Sequence, residues 1–328
     1  MSLSSATLTH EGWAEAVEAY IDNGWTDGLP VIPPTAEAVE AMLRVGGLDA
    51  AASLGEIPTR NITVDAEKVA INAVMAGCLP EYFPVVAAAV RALLQPLANA
   101  HSTTATLAGA AHAIIVNGPV RNEIGVEGGQ ACLGPGFRAN ATIGRAVRLV
   151  VRNVFRTVPG VLDRASFSWP LRYSFCFGEN EEFSNWTPLH VLQGYGRDES
   201  VVTVMSVLRL LQASEFAPES ETILTTIAET ARLYGMPVDE FVGSARGIVV
   251  IIGPEHHRRL LDDGWTKEAT RDWLWERMTQ DTRGKYDAKV TLASPDNVLI
   301  VAAGGPGIAQ TQVIMPHLAA PAHERVTS

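Results

Sequence analysis

Two segments of the chain place a cysteine inside a turn punctuated by glycine and proline. The first is Ala76-Gly77-Cys78-Leu79-Pro80-Glu81-Tyr82-Phe83-Pro84. The second is Gly128-Gly129-Gln130-Ala131-Cys132-Leu133-Gly134-Pro135-Gly136-Phe137-Arg138-Ala139-Asn140. Each thiol stands just ahead of an expected helix, where unpaired N–H groups and the positive end of the helix dipole lower a thiol's pKa. Pro80 suits the first position of a helix. Glu81 and Tyr82 lie within a turn of Cys78, so this segment offers a nucleophile, a general acid/base and a second proton donor. In the second segment, glycines expose main-chain N–H groups beside a helix start, an arrangement that cradles anions. Gly129, Gly134 and Gly136 would shape the cradle and Asn140 would cap the helix. Arg138 or Arg145 would clamp a carboxylate or phosphate, with Arg148 and Arg152 on the solvent face. Cys132, flanked by Arg138, is expected to be the more acidic thiol, and both sulfurs are expected to face one cleft. The loop is neither a Walker A sequence nor G-x-G-x-x-G, so no nucleotide is implied. The plain alternatives are a small buried thiol and a tight turn.

A third segment, Tyr173-Ser174-Phe175-Cys176-Phe177-Gly178, alternates like a strand and runs into Glu179-Asn180-Glu181-Glu182. Three carboxylates and an amide in four positions suit a hard cation or an acid/base pair, or a solvated acidic turn. Asn180 joins the candidate substrate-binding residues. His101, in a polar stretch after a helix, is a candidate base for a thiol. His256 and His257 lack the H-E-x-x-H spacing of a zinc site.

The elements that must position these residues follow from periodicity. Helices are expected over 11–23, from the Thr35 cap to about Val45, from the Asp65 cap through Ala76, and from about Glu81 to Leu94. Others run from about Asn140 to Phe155, from Glu219 to Leu233, and from near Glu255 and Thr266. Strands are expected at His112–Gly118, Val201–Leu208, Gly247–Ile252 and Asn297–Ala303, while 46–64 reads as loop. Ile114-Ile115-Val116-Asn117-Gly118-Pro119 echoes Val249-Val250-Ile251-Ile252-Gly253-Pro254. The echo suggests two related α/β halves packed into one large unit, with mixed sheets and flanking helices. The expected division is an N-terminal helical arm and connector (1–59), a first half with both cysteine turns (60–199), and a second half with a C-terminal tail (200–328). Ligands in open α/β sheets sit beyond the carboxyl ends of strands, so the Gly-rich endings at 118, 253 and 304–307 bear on function.

The 328 residues are 47% hydrophobic and 19% charged, enough apolar material for a substantial core. The formal net charge is −11, and no dense basic cluster suggests a nucleic-acid surface. Three cysteines without a C-x-x-C pair read as reduced thiols. Met1–Thr9 lacks the features of a signal peptide, so a cytoplasmic location is expected. The apolar run from Val69 to Leu97 is broken by Pro80, Glu81, Pro84 and Arg91, which argues against a membrane span.

The strings Asp27-Gly28-Leu29-Pro30…Pro33-Pro34-Thr35, Ala76-Gly77-Cys78-Leu79-Pro80-Glu81-Tyr82-Phe83-Pro84-Val85-Val86 and Leu133-Gly134-Pro135-Gly136…Asn140-Ala141-Thr142-Ile143-Gly144-Arg145, together with Cys176-Phe177-Gly178-Glu179-Asn180-Glu181-Glu182, resemble a bacterial family of largely uncharacterised proteins. That family is associated with small selenoproteins or cysteine homologues carrying a U-G-S-C motif. The resemblance spans residues 25 to about 310 and implies a thiol-based reductase or lyase working with a small partner subunit. The chain itself has no U-G-S-C string.

The expected function is a cysteine-dependent lyase or reductase acting on a small anionic substrate. Cys78 or Cys132 would react, and Glu81, Tyr82 or His101 would move protons. Two alternatives stand beside it. One is a non-catalytic subunit of a heteromeric complex. The other is a metal-dependent hydrolase or lyase built on Glu179, Glu181 and Glu182. No cofactor is expected apart from a metal ion in that last case, and a homo-oligomer is expected.

Overall fold

The computed structural model describes residues 3–234, 247–280 and 292–327. The chain is mixed α/β, with one large curled sheet flanked by helices and a small hairpin. The N-terminal helices α1 (Trp13–Asp22) and α2 (Ala36–Val45) lead into the hairpin β1 (Ser53–Ile57) and β2 (Ile62–Asp65). The sequence reading took this stretch as loop. Its strands are short and half polar, and they gain order by packing Leu54 and Ile57 against the helices that follow. Helices α3 (Ala66–Ala76), α4 (Phe83–Leu94) and the short α5 (Ala100–Thr104) precede β3 (Ala111–Asn117). Thr35 and Asp65 cap α2 and α3 as expected, each accepting a hydrogen bond from the N–H three residues on.

Beyond β3 come α6 (Val120–Ile124), α7 (Arg138–Asn153), β4 (Cys176–Gly178), α8 (Leu189–Leu192) and β5 (Val201–Ser214). Helix α9 (Ser220–Tyr234), β6 (Ile248–Ile252), α10 (Pro254–Asp262), α11 (Lys267–Thr279), β7 (Val298–Ala302), β8 (Gln310–Pro316) and β9 (Ala322–Arg325) complete the fold.

The strand order is β4-β3-β5-β8-β6-β7, with β9 also on β5. It reads the same from either end. β3 and β4 are parallel and β5 runs against β3; β6 and β7 are parallel and β8 runs against β6. The echo between 114–119 and 249–254 thus lies on equivalent strands. β5 is almost twice as long as expected because it serves both halves. Val201–Val207 pairs with β3, and Val207–Ser214 pairs with β8. The halves therefore share one hydrogen-bonded sheet. β8 and β9 escape a sequence reading, since Gln310, Thr311, Gln312, His323 and Glu324 mask the strand pattern.

Period-two alternation sorts the strand side chains onto two faces. Ile114, Val116, Cys176, Val202 and Val204 face α2, α3, α4 and α7. Ile248, Val250, Val298, Ile300 and Val313 face α9 and α11. The other face of both halves forms a third core inside the curl, with Ile115, Phe177, Met205, Ile251, Val301 and Ile314. Curling brings the ends of the edge strands β4 and β7 together. The Asn180 N–H donates to the Ala302 carbonyl at 2.7 Å, and the Gly304 N–H to the Gly128 carbonyl at 2.8 Å. No single helix among the described residues is long and apolar enough to cross a membrane.

Candidate functional site

The curl unites the second and third sequence motifs and leaves the first aside. Gly128 and Gly129 lie on the segment between α6 and α7, close against the end of β4, while Cys132 reaches over the ends of β6 and β7. A cleft of about 310 Å³ opens there, lined by Gln130, Cys132, Gly253, Gly304, Gln310 and Gln312 among others. Cys132 is 3% exposed and forms its floor. Its sulfur is approached by the N–H groups of Gly304, Leu133 and Cys132 itself. Ala131, immediately before it, holds φ at +57°, a conformation that costs a non-glycine residue free energy and persists where the surroundings impose it. Gly305 is needed for close approach, since a Cβ there would stand 2.2 Å from the Gln130 side-chain oxygen.

Asn140 is the staple of this loop rather than a cap. The cap position of α7 is Phe137, and Asn140 lies within the first turn. Its Oδ1 accepts from the Glu127 N–H at 2.9 Å, and its Nδ2 donates to the carbonyls of Glu127 and Cys132, each at 3.0 Å. The Asn140→Ala variant strands one buried donor and two acceptors. It is expected to lose about 2 kcal/mol of stability in denaturant titration and to speed alkylation of Cys132 as the loop loosens. Wild-type alkylation kinetics in this variant would show that Asn140 does not hold the loop.

Both arginines expected at an anion cradle are spent internally. Arg138 donates from Nε and Nη2 to the Gly77 carbonyl. Arg145 forms a two-pronged pair with Asp27 at 2.8 Å and also bonds the carbonyls of Leu29 and Pro30. The N–H groups of Gly129 and Gly134 are likewise paired, to Glu127 Oε1 and the Ala131 carbonyl. Gly134 and Gly136 are exposed. The cleft over Cys132 has no cationic rim among its lining residues.

The Cys78 turn is elsewhere. Cys78 packs with Cys176 and the helices on the outer face of the first half, whereas Cys132 belongs to the inner core. The expectation of a shared cleft fails because the sheet and the start of α7 separate the two thiols. Tyr82 is buried, Glu81 is exposed, and His101 is exposed on α5, bonded through Nδ1 to the Thr59 hydroxyl at 2.9 Å. These residues do not meet Cys132. The expected lowering of a thiol pKa is reversed as well. Burial pushes Cys78 up to about 12 and Cys132 up to about 11, although the Gly304 N–H partly offsets this for Cys132. Burial raises Cys176 too. Cys132 remains the more acidic of the expected pair.

The carboxylates after β4 form an ionic network that runs from buried Glu179 to exposed Glu182. Glu179 is 1% exposed, and its oxygens meet Lys267 Nζ at 3.3 Å, Asn117 Nδ2 at 2.6 Å and the Leu189 N–H at 2.7 Å. Glu181 accepts from Asn117 Nδ2, the Gly118 N–H and Arg121 Nε. Glu182 takes Arg121 and Asn122, and these hold its carboxyl down to about 2. Asn180 accepts from the Phe183 N–H through Oδ1. With their oxygens so engaged, the three glutamates do not form an open cation site. Among the described residues, no group of three or more His, Cys, Asp or Glu is arranged to hold a metal ion. His190 lies fully buried at the edge of this network, 3.9 Å from Glu181, with neither ring nitrogen hydrogen-bonded.

Sequence reasoning missed Asn117, Glu127, His190 and Lys267. Only Asn117 had a local signal, a polar residue closing a buried strand. Lys267 meets Glu179 across 88 positions of sequence, a pairing no spacing rule encodes. No family model matches the chain, and no curated protein matches it in sequence.

Proposed function

We propose that the chain is a cysteine-dependent enzyme of lyase type, acting on a small substrate in the cleft over Cys132. One observation carries this reading. The thiol lies at the floor of an open cleft, facing main-chain N–H groups from two separate segments. At a pKa of about 11, only about one thiol in ten thousand is ionised at pH 7. Cys132 therefore works as a proton donor to a leaving group or a developing carbanion, and the N–H groups of Leu133 and Gly304 steady the thiolate left behind. Glu127, whose charge reaches the sulfur, lines a neighbouring cleft with Gly128 and Gly129, and it is the carboxylate proposed to take the substrate's proton. Reductase chemistry is less well supported, because Cys78 and Cys176 lie on the other face of the sheet and cannot resolve a disulfide with Cys132. Work in a cytoplasmic setting suits three free thiols.

The non-catalytic subunit keeps one point in its favour: among the described residues, no histidine or lysine lines the cleft to activate the thiol. Alkylation by iodoacetamide, read by intact mass from pH 7 to 11, separates the two. The enzyme reading expects Cys132 to be the first thiol modified, with a midpoint near 11. It also expects protection by at least one member of a panel of small hydroxy, amino and unsaturated acids. Equal labelling of Cys78 and Cys132, with no protection by any acid, favours the structural subunit.

A further inference from the structure

A concentration of positive charge lies away from Cys132, in a cleft of about 470 Å³ between α7 and the segment 157–173. Arg148, Arg152 and Arg172 line it, together with Asp27, Asp163, Phe167, Trp169 and Tyr173 among others. Its carboxylates are already committed. Asp27 is clamped by Arg145, and Asp163 is bonded by Arg172 Nη2 at 2.5 Å. Arg148 and Arg152 have no carboxylate partner among the described residues. Among the described residues, Arg152 bonds the Gly24 carbonyl through Nε and Nη2.

Arg148 is expected on the solvent face but is 9% exposed. Its Nε donates to the Arg172 carbonyl at 3.1 Å, and its Nη1 donates to His112 Nδ1 at 2.9 Å. His112 is fully buried, and burial, helped by the charges of Arg148 and Arg172, holds its pKa well below the ordinary value. It is thus neutral and can accept the Arg148 proton without sharing the charge. A buried guanidinium with only neutral partners is costly, and a bound anion offsets that cost.

Two further features point to an acceptor-bearing occupant. The Trp169 indole N–H and the Arg172 Nε–H are buried donors without an acceptor, and both residues line the cleft. Phe167 is 97% exposed at the same place and Tyr173 is half exposed, so aromatic walls stand uncovered beside the cations. Ser168, between Phe167 and Trp169, holds φ at +65°, a strained turn that sets the two rings. The volume is that of a small-molecule site.

We propose that this cleft is a second binding site, for a small organic carboxylate with a flat apolar body. Arg148 and Arg152 take the carboxylate. The Trp169 and Arg172 N–H groups complete its hydrogen bonds, and Phe167, Trp169 and Tyr173 enclose the body. The site is independent of the cysteine reading, since it shares no lining residue with the Cys132 cleft.

Calorimetric titration of the full chain with benzoate tests it, with acetate as the probe lacking the flat body. Benzoate is expected to bind with a Kd of about 1 mM or tighter, and acetate about tenfold more weakly. Arg152→Gln, at a half-buried rim position, should weaken benzoate about tenfold. Trp169→Phe, which keeps a ring but removes the unpaired N–H, should weaken it about threefold. Circular dichroism of both variants confirms the fold, and either variant alone suffices for the comparison. Absence of benzoate binding up to ~10 mM overturns the site. So does binding that neither variant changes. Equal affinity for acetate overturns the aromatic part of the assignment.

Discussion

Lys267→Met lowers the stability of the fold by about 3–5 kcal/mol. Lys267 and Glu179 are 3% and 1% exposed at the side chain, so removing the ammonium leaves a carboxylate sealed away from water. The remaining partners, Asn117 Nδ2 and the Leu189 N–H, are neutral dipoles that cannot replace a full charge. Lys267 Nζ also donates to the Thr187 carbonyl at 2.7 Å, and that acceptor is orphaned as well. The double variant Glu179→Gln with Lys267→Met is expected to recover most of the loss, because a neutral amide tolerates the same pocket. Urea titrations at pH 7 compare the three proteins. A loss below about 1 kcal/mol in the single variant would mean that water reaches Glu179 and that the network is not a buried seam.

Acidification from pH 7 to pH 5 costs a further large amount through buried histidines, His257 and His323 among them. Burial lowers His257 from 6.5 to about 4, helped by nearby Lys267, and burial lowers His323 to about 4. His257 Nε2 pairs with the Ser184 hydroxyl at 3.1 Å and its ring stands edge-on to Trp186, while His323 Nδ1 pairs with Thr203 at 2.8 Å. A folded-state pKa below the unfolded one means the unfolded chain binds the proton first. Stability is therefore intact above about pH 6.5 and falls as pH drops toward 4. At pH 5 each ring contributes a loss of roughly 2 kcal/mol, so the pair accounts for roughly 4 kcal/mol. Glu67 and Glu182, both held down to about 2, act in a lower window. Their contributions are present above the unfolded carboxylate pKa of 4.5 and are lost between that value and about 2. Denaturant midpoints at pH 7 and pH 5 decide the matter, with His257→Gln expected to remove roughly 2 kcal/mol of the difference. A midpoint unchanged between the two pH values would contradict the burial of these rings.

The legible parts of this protein were those governed by near neighbours. Thr35 and Asp65 each serve an N–H three residues away, so their caps could be read directly. The buried strands β3, β6 and β7 announced themselves as continuous apolar runs ending in glycine. Other features depended on partners far along the chain. β8 opens on the polar run Gln310-Thr311-Gln312, and Gln312 pairs with Gln212 across the sheet, a pairing invisible until β5 is known to extend past Leu208. Arg148 looked like a solvated residue on an arginine-bearing helix. It is buried because His112 and the carbonyl of Arg172, from two other segments, converge on it.

The same division runs through the candidate sites. Residue order alone established the Cys132 loop with its glycines, the acidic run after Gly178, and the echo between 114–119 and 249–254. It could not say that Cys78 and Cys132 lie on opposite faces of a sheet. Strand alternation sorts side chains to one face or the other only after register is set. It could not foresee burial either, and burial outweighs the helix-terminal N–H groups and raises both thiols instead of lowering them. Local backbone geometry is encoded within a few residues and is carried by the sequence. Charge pairing, desolvation and the meeting of β4 with β7 depend on the curl of the whole sheet, and only the tertiary structure decides them.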